Sequence, residues 1–438
     1  MFSAFQTFGR LGAGGLPFSE RALWPQGASS PGLWIDPAYT PSEFQDSAGT
    51  TPISAIGTVA DSSNPVGLIL DRKAGATSNT GAGIHLSQST SAARPLASAR
   101  VNLLTYSEDF SNAEWTKMAV NLSGGTLIPT TENTYHSIRQ QVTLGVMPMA
   151  LIFEAKAAGY TDVGTYITDN TTGGIAAVFT LSGAGSISST ASDGSWTGMT
   201  STITALSDGW YRCVLSGNKG AGTIAVPYIA PGASQATSFA GDGVSGISVR
   251  NVQVNTGLSA LPYQRVGAAS DYDTAGFPVY LKLDGTDDGL ASATFSAGTL
   301  TSSMDCLIAL RRDSAERFIL FYQEVGVGSF YFGLVDAAGG SSPCFNASGS
   351  PTVWVDGTQV SSGRASDLST ALTLGSWHIL EFRGMDLSAW ARLQSGFWAS
   401  GYGFNGAIGK AYLFSNGQDA NRTKARARMA AYFGVTLP

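Results

Sequence analysis

From about residue 150 onward, every apolar stretch of this chain is short and closed by Gly, Asn, Asp or Ser. IFEAKA (152–157), YITD (166–169), AAVFTL (176–181), WYRCVLSG (210–217), TIAVPYIA (223–230) and ISVRNVQV (247–254) follow one another in this way. Past residue 270 the rhythm repeats in LKLDGTDDGL (281–290), MDCLIALRR (304–312), RFILFYQE (317–324), SFYFGLVDA (329–337), TVWVDGTQV (352–360), WHILEFRG (377–384) and IGKAYLFSN (408–416). Short β-branched and aromatic runs separated by turn residues predict strands of a sandwich or barrel. In TVWVDGTQV, Asp356-Gly357 sits between two alternating arms and predicts a tight hairpin. The period changes once, in QDANRTKARARMAAYFGV near the end. That segment predicts a helix with Asp419 or Asn421 near its N-cap and Gly434 at its close.

Composition agrees. Only 13% of the residues are charged, about half of what a soluble domain usually carries. Long surface helices need Lys, Glu and Arg on their wet face, so few can form. The 54 glycines and 17 prolines suit many turns, and 10% aromatic residues give cores and binding platforms their material. A chain of 438 residues exceeds one core and predicts two or three domains. The expected fold is all-β: two β-sandwich (jelly-roll) domains in tandem after an extended N-terminal region, with a short C-terminal helix.

Four units follow from shifts along the chain. Residues 1–30 are Gly-rich and apolar, with Phe2, Phe5, Phe8, Leu11, Phe18 and Trp24 as candidates for docking onto another body. Residues 31–100 alternate turn signals with very short apolar pieces and predict a small strand-and-turn linker module. The two sandwiches are expected over 101–267 and 268–438. The first opens with NLLTYSEDFSNAEWTK (102–117), where NLL is expected to supply an inward strand, SEDFSN a capped turn, and Phe110 and Trp115 a plug at the sandwich edge. Trp115 and Trp210 are expected to be core residues rather than ligand contacts.

Several chemistries find no support. The net charge is −6, whereas a nucleic-acid binder shows a basic face. The one basic run, RTKARAR (422–428), is expected to cap and solubilise the terminal helix. Cys213, Cys306 and Cys344 are odd in number and far apart, so buried free thiols are expected and no disulfide framework. The three histidines stand singly and make no zinc spacing. No long apolar segment predicts a membrane span, and the first residues lack the pattern of a signal peptide. No cofactor is expected. Glycoside hydrolysis needs two carboxyl groups flanking one bond, and no E-x-D-x-x-E run occurs. Asp271, Asp273, Asp284, Asp287 and Asp288 have the oxygen chemistry for Ca²⁺, but a turn cluster without metal is the expectation. Sugar binding remains open. QSGFWASGYGFNG (394–406) gathers Phe397, Trp398, Tyr402 and Phe404 among small residues, and Trp196 in DGSWTG is a second candidate; rings of this kind stack on sugar faces.

Three resemblances add to this reading. Trp34, Asp36, Pro37, Phe44, Gln45, Asp46, Gly49, Thr50, Thr51, Pro52, Pro65, Val66, Gly67, Leu70 and Asp71 form a run that resembles a module near the N-terminus of tailed-bacteriophage structural proteins. Asn102–Lys117, Asp208–Arg212 and Val252–Val254 with Ser259 and Tyr263 resemble a carbohydrate-binding-module-like jelly roll, although Asn255 stands where that family usually has an acid. Asp284–Asp288, Gly406–Phe414 and Tyr432–Gly434 resemble a concanavalin A-like (laminin G-like) sandwich, with Lys410 replacing a frequent glutamate. Together they imply a virion fibre, spike or decoration without enzymatic activity, assembled in the bacterial cytoplasm. It would bind capsid, neck or tail proteins, form a trimer, and touch a host-surface polysaccharide. The alternatives are a purely structural decoration with no glycan ligand and, with less support, a glycan hydrolase.

Overall fold

The strand Met304–Arg312 (MDCLIALRR) is buried at all nine positions, because both of its faces are covered. Met304, Cys306, Ile308 and Leu310 point into a sandwich core. Leu307 and Ala309 point the other way, against Ala425, Met429, Ala430 and Phe433 of the C-terminal helix Asp419–Phe433. A strand covered on both sides loses the apolar/polar alternation of a half-wet strand. The helix ends as predicted, on Gly434 at φ 70°, where glycine carries no Cβ penalty. Its N-cap position is Gln418.

The computed structural model describes residues 19–74, 83–232, 238–325, 328–336, 342–346, 351–360, 363–396 and 402–438. It is all-β, with two sandwiches and the short C-terminal helix, and the small helix Ala365–Ala371 beside them.

The two sandwiches are nested rather than arranged in tandem. Gly32–Ile35 lies antiparallel to Asn405–Ser415, with Gly32 opposite Phe414 and Ile35 opposite Ala411. Leu96–Ser98 pairs with Tyr280–Asp284, and Leu86–Ser87 pairs with Leu290–Ser292. Residues before 101 and after 267 therefore share two eight-stranded sheets and one core, in which Ile35, Ile69, Leu86, Leu283, Phe321, Phe382, Trp390 and Ile408 meet. The expected separate module over 31–100 does not exist. Its strands are two to four residues long, too short to bury a face of their own, and they complete the sheets of the distal half. Gly32 permits a close approach: at φ +114°, a Cβ there would stand 1.8 Å from the Leu413 carbonyl oxygen.

The motif residues of this segment act structurally. Buried Asp71 accepts backbone N–H bonds from Trp34 (3.0 Å), Lys73 (3.0 Å) and Ile84 (3.1 Å). Asp36 pairs with Arg72 and, at 3.4 Å, with Lys410.

Residues 101–267 form the inserted sandwich. One sheet orders Thr197–Ala205, Trp210–Asn218, Pro148–Ala158, Gly246–Thr256, Thr126–Pro129 and Val120–Ser123. The facing sheet orders Ser186–Ser192, Gly174–Thr180, Asp162–Thr168, Ile224–Pro231, Ser137–Arg139 and Thr116–Met118. Leu151, Phe153, Val163, Ile167, Phe179, Leu215 and Ile229 fill the space between. Residues 101–104 are not a strand. Asn102 is instead fully buried, and its side chain bonds Val252, Leu104, Val254 and Gln264. The SEDFSN turn is capped as expected, Asp109 accepting from Ser111 and Asn112 from Glu114. Phe110 and Trp115 meet edge to face at 5.2 Å inside the core. Trp210 is half-buried beneath the Arg250 guanidinium, 4.0 Å from its ring, and stands outside the core cluster.

The hairpin at 352–360 turns at Asp356-Gly357, both with positive φ (51° and 87°), as a two-residue primed turn requires. The three cysteines are buried and free. RTKARAR differs from expectation. Arg422 is buried and bonds Asp305, Asp419 and Glu381, and Arg426 donates to Glu381 at 2.9 Å. The run supplies the cations of a buried network that fastens the helix to its sheet, because Asp305 and Glu381 lie fully buried under it.

Candidate functional site

Among the described residues, the aromatic side chains singled out in the sequence do not assemble into one exposed site. Phe397 and Trp398 lie outside the described residues, as do Phe2, Phe5, Phe8, Leu11 and Phe18. Tyr402 is half-buried, with the Arg317 guanidinium 4.7 Å from its ring and donating to its hydroxyl at 2.6 Å. Phe404 is 1% exposed and packs 4.6 Å from Phe318; as the neighbour of a long central strand it fills the host core and offers no glycan surface. Trp196 is 3% exposed and sits in the core of the inserted sandwich, because the 193–196 turn folds its ring inward. Trp24 is likewise not a free docking residue. It stacks on Trp34 at 5.4 Å and donates its indole N–H to the Leu413 carbonyl at 3.0 Å.

The acidic turn resolves into two arrangements. Asp271 and Asp273 pair with Arg265 at 3.0 and 3.1 Å. The carboxylates of Asp284, Asp287 and Asp288 lie within 4.8 Å of one another. Asp284 accepts from the Thr286 N–H at 2.7 Å, and Asp288 accepts from the Asp284 N–H at 2.9 Å. Burial, and then the Asp284 charge, push the Asp288 carboxyl up to about 7. Backbone donors account for these turn contacts.

Two concavities stand out. The larger, about 800 Å³, lies between the two sandwiches and is lined by Asp61, Arg100, Tyr280, Arg311 and Asp313 from the host and by Leu144 and Val146 from the insert. Asp61, Arg100, Arg311 and Asp313 are engaged with one another, with neighbouring hydroxyls or with the backbone. Arg311 bonds Asp313 at 2.7 and 2.9 Å, Arg100 donates to the carbonyls of Asn102 and Leu104, Tyr280 donates to the Arg100 carbonyl, and Asp61 accepts from Ser98 and Tyr272. That is the chemistry of a joint.

The second, about 650 Å³, lies on the outer face of the insert's sheet. Its construction follows from strand alternation. In Asp162–Thr168, Val163 and Ile167 face the core, so Tyr166 faces out. In Ile224–Pro231, Ala225 and Ile229 face the core, so Tyr228 faces out. The register places Arg139 opposite Tyr228, Tyr228 opposite Tyr166, Tyr166 opposite Ala176, and Ala176 opposite Ala191. One row thus carries a guanidinium and two phenol rings, then two methyl groups.

The adjacent row begins with Met118 opposite Ser137 and continues with shorter side chains: Gly164 opposite Ala230 and Val178, and Val178 opposite Ser189. The tyrosines stand as a wall beside a low floor. Their ring centroids are 6.0 Å apart and tilted by 44°. A Cβ on Gly174 would come 2.5 Å from Cε2 of Tyr166, so that ring lies over the glycine, away from the row of small residues. Arg139 donates to the Tyr228 hydroxyl at 2.5 Å. Tyr135, 45% exposed, stands at the rim, and exposed Ser189 and Thr190 offer hydroxyls along the groove. Asp193 is the one acid of the lining, and its Oδ1 accepts the Gly174 N–H at 2.5 Å.

Rings and hydroxyls beside a low floor suit a flat ligand with one apolar face and many hydroxyl groups. Sequence inspection missed this face because Tyr166 and Tyr228 are far apart in the chain; the signal that identifies them is their alternation with Ile167 and Ile229. No family model matches the chain, and no curated protein matches it.

Proposed function

We propose that this chain is an attachment protein that binds carbohydrate on the outer face of its inserted sandwich, presented by the host sandwich as part of a phage or phage-like particle. The observation that carries the binding half is the row Arg139–Tyr228–Tyr166 beside a row of small residues. Tyrosines stack on sugar rings at little conformational cost while their hydroxyls keep a polar handle. A binding role without turnover is supported by the lining, since glycoside cleavage needs two acids flanking one bond and Asp193 is the one acid there. The particle half rests on the resemblances of residues 34–71, 102–117 and 284–434. Docking onto capsid, neck or tail proteins falls to Phe2, Phe5, Phe8, Leu11 and Phe18, and trimer formation follows from the same resemblances.

The test is a glycan array probed with the full chain, alongside Tyr166→Ala and Trp398→Ala variants whose folding is verified by circular dichroism. Binding reduced at least tenfold by Tyr166→Ala and unchanged by Trp398→Ala is the expected result. The reverse pattern would move the site to the 394–406 segment, and an array without any signal would leave the alternative of a decoration that binds only particle proteins.

A further inference from the structure

Arg139 differs from most buried and half-buried arginines of this protein. Arg72 faces Asp36, Arg311 faces Asp313, Arg383 faces Glu381, and Arg426 faces Glu381. Arg94 and Arg100, which lack such an acid, are held by backbone carbonyls. Arg139 is anchored by a neutral group, the Tyr228 hydroxyl, and no carboxylate among the described residues lies within ion-pairing distance of it. The chain has more acids than bases, so counter-ions are not scarce. The strand nonetheless places this cation on the groove face, with its Cζ 5.2 Å from the Tyr228 ring centroid. Arg139 is also the one cation in the groove lining.

A guanidinium has five N–H donors in a fixed fork, and one of them is directed to Tyr228. The remaining donors match the two oxygens of a carboxylate, the geometry for which arginine surpasses lysine. Resting on the glycan-binding reading above, we infer that the groove selects sugars that carry a carboxylate: the pyranose face lies on Tyr166 and Tyr228, and the carboxylate takes the free side of Arg139. The floor of Ser137, Val178 and Ser189 brings no second charge to oppose the anion. Asp193 is exposed and bonded to the Gly174 N–H, on the Tyr166 side of the groove. The shared chemistry is a carboxylated ring, present in uronic acids and in nonulosonic acids alike.

The experiment measures the full chain against three immobilised polymers: polygalacturonate, its fully methyl-esterified form, and polysialic acid. The ester keeps the sugar face and removes the charge. At about 50 mM salt, the expected result is at least tenfold tighter binding to one of the acidic polymers than to the ester, weakening as salt is raised. Which acid is preferred identifies the source. Arg139→Gln should bring the acid-to-ester ratio to about one, Arg139→Lys should restore the preference only in part, and Tyr166→Ala should weaken binding to acid and ester together while keeping their ratio. Equal affinity of the wild-type chain for acid and ester, or a preference untouched by Arg139→Gln, overturns the inference and leaves the glycan reading standing. Binding to none of the three, and to no neutral glycan on the array, overturns both. The wild-type acid-to-ester ratio decides even if the Arg139 variants fail to fold.

Discussion

The side chain of Gln264 bonds the backbone on both sides of the junction between the two sandwiches, and Asn102 bonds Gln264 in return. Gln264 accepts from the N–H groups of Val101 (2.6 Å) and Asn102 (3.0 Å) and donates to the carbonyls of Ala99 (2.9 Å) and Asp273 (2.7 Å). The Asn102 amide donates to the Gln264 carbonyl at 3.1 Å. The segments that lead into and out of the insert are therefore clasped side by side, with every bond buried or partly so. Replacing Gln264 with Ala strands these donors and acceptors. A buried polar group left unpaired costs about 1–3 kcal/mol, so urea unfolding of Gln264→Ala should show a loss of about 2 kcal/mol or more, and Asn102→Ala a similar one. A change under about 0.5 kcal/mol in both would show that the clasp is not structural.

Nesting predicts an asymmetry between fragments. Residues 101–267 carry both sheets and the whole core of their sandwich and should fold alone, with sharp thermal melting and a β-type circular-dichroism spectrum. Residues 268–438 lack the strands Gly32–Ile35, Leu86–Ser87 and Leu96–Ser98 and should aggregate or remain unfolded. A soluble, cooperatively melting 268–438 fragment would contradict the interleaved sheets.

The buried cation of the terminal helix gives a third prediction. Arg422→Met leaves buried Asp305 without its cation, while Glu381 keeps Arg383 and Arg426. Asp305 is already shifted upward by burial, which the Gly384 N–H and Arg422 partly offset. Removing one member of a buried ion pair costs about 3–5 kcal/mol, and a loss of that size should appear as a drop in melting temperature. Lys424 is not part of this network, so Lys424→Met should leave the melting temperature within a degree or two.

The placement of the rings separates stability from binding. Phe404→Ala empties a core site and should cost about 3–5 kcal/mol. Tyr166→Ala, on the outer face, should cost about 1 kcal/mol or less while removing glycan binding. Chemical denaturation run beside the binding assay reads both quantities, and a Phe404→Ala protein as stable as wild type would remove that ring from the core.

Asp288 links stability to pH. Its folded carboxyl titrates at about 7, raised first by burial and then by Asp284, against about 3.9 in the unfolded chain. The folded state therefore holds a proton that the unfolded state has released. That contribution favours folding below about pH 4 and is progressively lost as pH rises from about 4 to 7. Asp288→Asn keeps an acceptor for the Asp284 N–H and removes the titration, so its melting temperature should gain on wild type as pH rises through that window. Parallel profiles for the two proteins would place the titration elsewhere.

The β class, the 352–360 hairpin and the terminal helix were legible because each rests on local pattern: apolar runs closed by turn residues, Asp-Gly between alternating arms, a change of period ending in Gly434. The nesting was not. Gly32 pairs with Phe414 across nearly the whole chain, and strands as short as Leu68–Ile69 carry no period to read. The expectation that 31–100 stands apart came from that local weakness, which is the reason the segment must add to other sheets. Trp196 and Phe404 looked like platform residues because Gly and Ser surround them, yet small neighbours are also what lets a large ring turn inward. The basic run 422–428 reads as a solvated face until Asp305 and Glu381, on two distant strands, are brought under it.

The antiparallel pairing of Gly32–Ile35 with Asn405–Ser415 also settles how the molecule responds to tension. Gly32 and Phe414 lie at the same end of the ladder, so traction on the segments before Gly32 and after Ser415 draws both strands from one side. Such a ladder opens like a zipper, one rung after another, instead of resisting as a sheared block. The inserted sandwich, clasped at Asn102 and Gln264, adds no strand to that ladder, so parting the ladder leaves both sheets of the insert paired.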